Sequence, residues 1–265
     1  MTALYNHRLD KNKRRREERD AVGKFRDVLL RSSEQLQSHV LQLCYGRVPH
    51  RVHHLSLTAP ESYAYCILIY RIGQLICWMF LLENDIQTIH YTPTADDRRI
   101  MDILYAIHRG LGDPLRFNGQ EMPLRIFRGL QDSIGELMTV GDTEKGTQRC
   151  MGYPEFWKRW TVAEDNEFRP WFSQLEDGLK GLLNSRSGDH QLQDQWFFRV
   201  MQFQHLLIEL VNALDPKNDR LYTRPRTRFA LIETPFLAEL CTCTHCMGTK
   251  SYSLHSESLM PIRFR

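Results

Sequence analysis

Apolar residues recur along most of this chain at the three-and-four spacing of a helix face. In residues 10–44 a charged lead-in alternates Lys11, Lys13, Arg14, Arg15, Arg16 and Arg19 with Glu17, Glu18 and Asp20. It gives way to Val22, Phe25, Leu29, Leu36, Val40 and Leu43. Steps of three, four or seven put these on one face, so the segment predicts one long amphipathic helix. Gly46, Pro49 and Pro60 break the pattern and predict a loop. Residues 61–89 are the most apolar. From Tyr63 to Leu82 the one charge is Arg71, with Gln74 on nearly the same face. That length suffices to span a bilayer. An arginine near the midpoint, however, costs at least about 2.5 kcal/mol on insertion scales. A buried central helix that offers Arg71 and Gln74 to a polar partner is the favoured reading over a membrane span.

Thr94 is a predicted N-cap, with Asp96 and Asp97 in the first turn where the helix dipole favours acids. That helix continues through Ile100, Ile103, Leu104 and Ile107 and stops at Gly110, Gly112 and Pro114. Further helices are predicted near 124–139, at Tyr153–Trp160, from Pro170 to about Leu183, and from Asp189 to Leu214, where Asp215-Pro216 ends the last one. Gly141 to Gly146 is a predicted loop. Sustained period-two alternation is missing, so strands are expected to be almost absent. The expected fold is all-α, an irregular bundle of six to seven helices with a poorly structured C-terminal tail. Residues 1–20 form a basic N-terminal segment, 21–215 the helical domain, and 216–265 a loosely attached tail rich in Pro, Ser and Thr.

Composition adds a few constraints. Hydrophobic residues at 42% and charged residues at 25% are ordinary globular usage, which speaks against wholesale disorder. The net charge of +3 is too small for strong global attraction to nucleic acid. Its distribution is uneven: residues 1–20 carry seven Lys or Arg against four acids, and residues 216–265 eight against four. Basic ends therefore flank a mildly acidic middle. Residues 1–20 contain no apolar signal region, and Cys66 and Cys77 sit in apolar runs that suit reduced thiols. A cytoplasmic chain is expected, with peripheral membrane association as an option.

The runs Ile72-Gly73-Gln74-Leu75-Ile76-Cys77-Trp78, Arg125-Ile126-Phe127-Arg128-Gly129, Ile134-Gly135-Glu136-Leu137-Met138, Cys150-Met151-Gly152-Tyr153 and Leu214-Asp215-Pro216 resemble an uncharacterised family of helical proteins. The resemblance covers about residues 18–220. It implies a helical fold and no particular activity. Members often carry a membrane helix ahead of the basic stretch, and no apolar segment stands there in this sequence. Where the family pattern sets a Glu and an Arg around Gln131, this chain has Leu130 and Asp132.

The sharpest chemical motif is Cys241-Thr242-Cys243-Thr244-His245-Cys246. Three thiols and an imidazole are ligands that suit tetrahedral Zn²⁺, although the spacing is not that of a standard finger. Neighbouring thiols could also be redox-active. The bland alternative is a reduced tail in which the cluster is accidental. His50, His53 and His54 share a loop with Arg47 and Arg51, which disfavour both a bound cation and a protonated ring, so a solvated basic loop is expected. Glu136 and Gln131 lie on one predicted helix and could join Arg71 and Gln74 in a polar pocket suited to acid–base work. A Glu beside an Arg is more often a salt bridge that fixes packing. Phosphate loops, nucleophile elbows and dinucleotide fingerprints are missing from the sequence.

These features favour a non-enzymatic helical scaffold or interaction protein. It would meet a protein partner, or a second copy, through the N-terminal amphipathic helix, or an anionic membrane surface through residues 11–19. Nucleic acid is a poor fit, since no basic stripe with interleaved aromatics occurs. Two alternatives stay open: an enzyme with a pocket around Arg71, Gln74, Gln131 and Glu136, and a zinc protein using Cys241, Cys243, His245 and Cys246.

Overall fold

The computed structural model describes residues 21–44, 60–88, 93–117, 120–121, 124–142, 147–161, 167–185, 190–221 and 243. Among them the fold is all-α. Seven α-helices follow in the order α1 (Ala21–Cys44), α2 (Pro60–Thr88), α3 (Ala95–Gly112), α4 (Arg128–Leu137), α5 (Tyr153–Thr161), α6 (Ser173–Ser185) and α7 (His190–Leu214). A 3-10 turn at Arg169–Phe172, with Pro170 in its opening positions, leads into α6.

The predicted amphipathic faces make the core. Val22, Phe25, Leu29, Leu36 and Val40 of α1 are buried against α7 and α2. The stripe expected to meet a partner or a second copy thus meets helices of its own chain. Polar contacts reinforce this docking. Lys24 pairs with Asp85 at 3.0 Å, Arg220 pairs with Asp27, and Arg26 donates to the Leu214 carbonyl at 3.2 Å. The lead-in at residues 10–20 lies outside the described residues.

Helix α2 contains a stretch, Tyr65–Gln87, that is long and apolar enough to cross a membrane by length and composition. In this fold it packs against α1, α4, α5 and α6, and 67% of its most apolar window is buried. Its half-buried residues Ile67, Arg71, Gln74 and Trp78 are spaced along one face, so Arg71 and Gln74 stand at the edge of the core. The stretch buried on all sides lies in α7: every residue from Phe198 to Val211 is buried, including Arg199, Gln202, Gln204, His205 and Glu209. An amphipathic pattern predicts a solvated polar face there. The fold covers that face instead.

Aromatic packing holds α5 and the 3-10 turn to α2. Phe156 is fully buried, with ring centroids 5.4 Å from Tyr70, 5.3 Å from Trp160, 5.5 Å from Phe168 and 5.7 Å from Phe172. The helix predicted near 124–139 is shorter at both ends. Leu124 has a left-handed φ of 62° and the Ile126 N–H donates to the Leu111 carbonyl, so residues 124–127 are held against the end of α3 before α4 begins. At its other end Thr139 enters a strand.

Two small antiparallel hairpins are the strands among the described residues, in line with the near absence of strand expected. β1 (Arg116–Phe117) pairs with β2 (Gln120–Glu121), and β3 (Thr139–Asp142) pairs with β4 (Thr147–Cys150) in the register Thr139↔Cys150. Asn118-Gly119 stands between the first pair in the sequence, a favoured two-residue hairpin signal that the strand reading overlooks. The loop predicted from Gly141 to Gly146 overlaps the connection of the second hairpin.

Candidate functional site

The four polar residues singled out from the sequence divide by their contacts. Arg71 Nη1 donates to Gln74 Oε1 at 2.9 Å. Gln74 Nε2 donates to the Tyr70 hydroxyl at 3.1 Å, and that hydroxyl donates to the Met151 carbonyl at 3.1 Å. The guanidinium also lies over the Tyr70 ring, 5.5 Å from its centroid. Burial pushes the Tyr70 phenol up to about 12, so it remains a neutral donor at physiological pH. This chain of bonds fastens α2 to the turn after β4. Gln131 belongs to a different network, and Glu136 is exposed on α4.

Gln131 is fully buried, and its Nε2 donates to the carbonyls of His108 at 3.1 Å and Ile126 at 2.6 Å. Those two carbonyls fix the amide's orientation. Oε1 therefore faces His108 Nδ1 as an acceptor, and Nδ1 carries the hydrogen. The other ring nitrogen, Nε2, lies 3.2 Å from Glu83 Oε1 without the alignment of a hydrogen bond. Arg128 pairs with the second Glu83 oxygen and, through Nε, with Asp132 at 3.0 Å. Burial pushes the Glu83 carboxyl up, but contact with His108 and Arg128 outweighs it and holds the group below the usual carboxylate range. The network joins α2 (Glu83), α3 (His108) and α4 (Arg128, Gln131). A histidine oriented by an amide and set beside a carboxylate is a general acid–base arrangement in outline. Here the carboxylate is already shared between His108 and Arg128, which is the arrangement of a three-helix clasp.

Sequence reasoning missed Glu83, His108 and Arg128. One signal was present: His108 falls on the apolar stripe of α3, four residues after Leu104 and three before Leu111. The pairing of Glu83 with His108 bridges two helices and leaves no mark at helical spacing.

A third arrangement involves the cysteine motif. Of Cys241, Cys243, His245 and Cys246, only Cys243 is among the described residues. It is fully buried, and its Sγ lies 3.5 Å from Nδ1 of His205, which is itself 2% exposed. Cys66, Cys77 and Cys150 are also buried. The Cys150 thiol is pushed up by its hydrogen bond with Cys77 and by burial, which suits a structural role. Among the described residues no group of three or more His, Cys, Asp or Glu side chains converges as a metal site. The cavity between α1, α2, α6 and α7 has a volume of about 30 Å³. It is lined by Leu68, Ile72, Leu111, Leu124 and Phe203, with Arg199 as its one charged wall. That is the scale of one or two water molecules rather than of a substrate.

Comparison of this chain with family models, with curated proteins and with solved structures gives no match.

Proposed function

We propose that this chain is a non-enzymatic helical scaffold or interaction protein that attaches peripherally to an anionic membrane surface through its basic N-terminal segment. The observation that carries this is the placement of α1. Its apolar stripe is buried against α7 and α2, and ion pairs fasten it to the body. The run from Lys11 to Arg19 directly precedes this docked helix, so whatever the run binds is coupled to the body. A run this rich in charge, with no apolar residue from Asp10 to Asp20, suits electrostatic adsorption rather than insertion. Seven basic residues against four acids give a surplus of three over residues 1–20. At about 1 kcal/mol per net positive charge near an anionic leaflet, attachment would be worth about 3 kcal/mol, weak and salt-sensitive.

Flotation with phosphatidylserine-containing vesicles tests this. The full chain is expected to float with the vesicles at low salt and to be released at high salt, and a chain lacking residues 1–20 is expected to stay behind in both. Equal behaviour of the two chains would overturn the membrane part of the proposal. The expected fraction bound to vesicles of phosphatidylcholine alone is low for both.

A further inference from the structure

Two buried thiols meet where the second hairpin packs on α2. Cys77 stands on α2 and is 0% exposed, while Cys150 ends β4 and is 7% exposed. The Cys150 thiol is hydrogen-bonded to Cys77, and its Sγ also lies 4.0 Å from the Gln74 carbonyl, one turn earlier on α2. Thr139 stands opposite Cys150 in the β3–β4 register, and its Oγ1 lies 3.5 Å from Cys77 Sγ. Separate contacts between α2 and the hairpin therefore bring the two sulfurs together.

The hydrogens in this group run one way. Thr139 Oγ1 donates to the Gly135 carbonyl at 2.8 Å, so it meets Cys77 as an acceptor. Cys77 then gives its own hydrogen to Thr139 and turns a sulfur lone pair toward Cys150. A resolving thiol needs that arrangement beside an oxidised neighbour. Burial adds to it, because reactants held in fixed geometry act at a high effective concentration. An oxidised Cys150 sulfur meets Cys77 before it meets a solute. The bond to Cys77 and burial also push the Cys150 thiol up, which keeps it in the slow-reacting thiol form while oxidant is scarce.

We propose that Cys77 and Cys150 are a redox pair that hydrogen peroxide closes into a disulfide, stapling the β3–β4 hairpin to α2. Cys150, the more accessible of the two, takes one oxygen from the peroxide and becomes a sulfenic acid, and one water leaves. The Cys77 sulfur then attacks the Cys150 sulfur. The S–O bond breaks, and the departing hydroxide takes the Cys77 proton to form a second water. Two thiols and one peroxide thus give one disulfide and two waters, with two electrons passing from sulfur to the peroxide oxygens. The pair stands independently of the membrane reading, since it involves no residue of the N-terminal segment.

The test is disulfide mapping of the full chain. The protein is incubated with excess hydrogen peroxide, its remaining thiols are alkylated in denaturant, and it is digested without reduction. Mass spectrometry is expected to find the Cys77 and Cys150 peptides joined, lighter by two hydrogens than their sum. Dithiothreitol is expected to separate them. This readout uses the wild-type chain and does not depend on any variant folding. Thermal unfolding gives a second readout, because a disulfide that closes so long a loop restricts the unfolded chain. Peroxide is expected to raise the Tm of the wild-type chain, and Cys150→Ser is expected to abolish that rise. Recovery of both cysteines as alkylated thiols would overturn the proposal. So would either one joined to a different cysteine, or Cys150 carried on to sulfinic acid with Cys77 still reduced.

Discussion

Arg199 keeps a charge inside the protein because backbone oxygens take the place of water. It is 1% exposed, and its guanidinium donates to the carbonyls of Gly110 at 2.6 Å, Leu111 at 3.3 Å and Asp113 at 2.9 Å. These are the groups a helix leaves unsatisfied at its C-terminus, so Arg199 caps α3 from another helix. Desolvation lowers its pKa to about 10, which still leaves it charged near neutrality. Arg199→Met is predicted to strand the Gly110 and Asp113 carbonyls, since the Leu111 carbonyl keeps the Ile126 N–H, and to lower unfolding stability by about 2–4 kcal/mol, read from urea denaturation. The carboxyls of Glu83 and Glu176 make a prediction about pH. Burial raises both, but His108 and Arg128 at Glu83, and Arg169 and Lys180 at Glu176, bring both below the usual range. The unfolded chain therefore takes up protons first as pH falls. The stability these groups supply is complete above the unfolded carboxylate pKa of about 4.3, and is lost as pH drops through the lower folded values. Glu83→Gln should be less stable than wild type at pH 7 and should show a shallower loss of stability over the acid range. An unchanged acid-unfolding profile would contradict the assignment. Arg71 and Gln74 were legible as a pair because three residues on a helix make neighbours. Arg199 also occupies the apolar stripe of its helix, three residues after Trp196 and four before Phe203, yet its partners lie in another helix and could not be read.

Helix boundaries were legible where local chemistry sets them. Thr94 accepts from the Asp97 N–H at 3.2 Å while the Asp97 carboxylate accepts from the Thr94 N–H at 3.0 Å, a reciprocal cap that the sequence announces. Thr94→Ala is predicted to cost about 1 kcal/mol, measured as a shift in denaturation midpoint with an unchanged slope. Boundaries set by tertiary contact were not legible. The start of α4 depends on the bond from Ile126 to Leu111, and periodicity alone runs the helix back to Leu124. Close packing between elements explains one glycine of α4. A Cβ at Gly135 would lie 2.6 Å from Phe80 Cβ, at the root of that side chain where little can give way. Gly135→Ala should therefore destabilise the α2–α4 contact by about 1–3 kcal/mol, although alanine is the better helix former.

Across the whole molecule, the helical architecture was legible because most stripes face one common core. The order of burial within it was not. The sequence marks α2 as the most apolar segment, while α7, with five buried polar residues between Arg199 and Glu209, lies deepest. A polar residue in a periodic pattern is normally assigned to solvent, and only packing reveals that another part of the chain covers it. Cys243 against His205 is one such cover. The same accounting bears on function: α1 has its apolar face occupied, and the charged run ahead of it is what the proposal leaves for an outside surface. Reversing that charge without touching the core is the most direct test. The combined substitutions Arg14→Glu, Arg15→Glu and Arg16→Glu should leave thermal unfolding unchanged and abolish binding of the full chain to phosphatidylserine vesicles at low salt. Vesicle binding that survives the reversal undiminished would contradict the account.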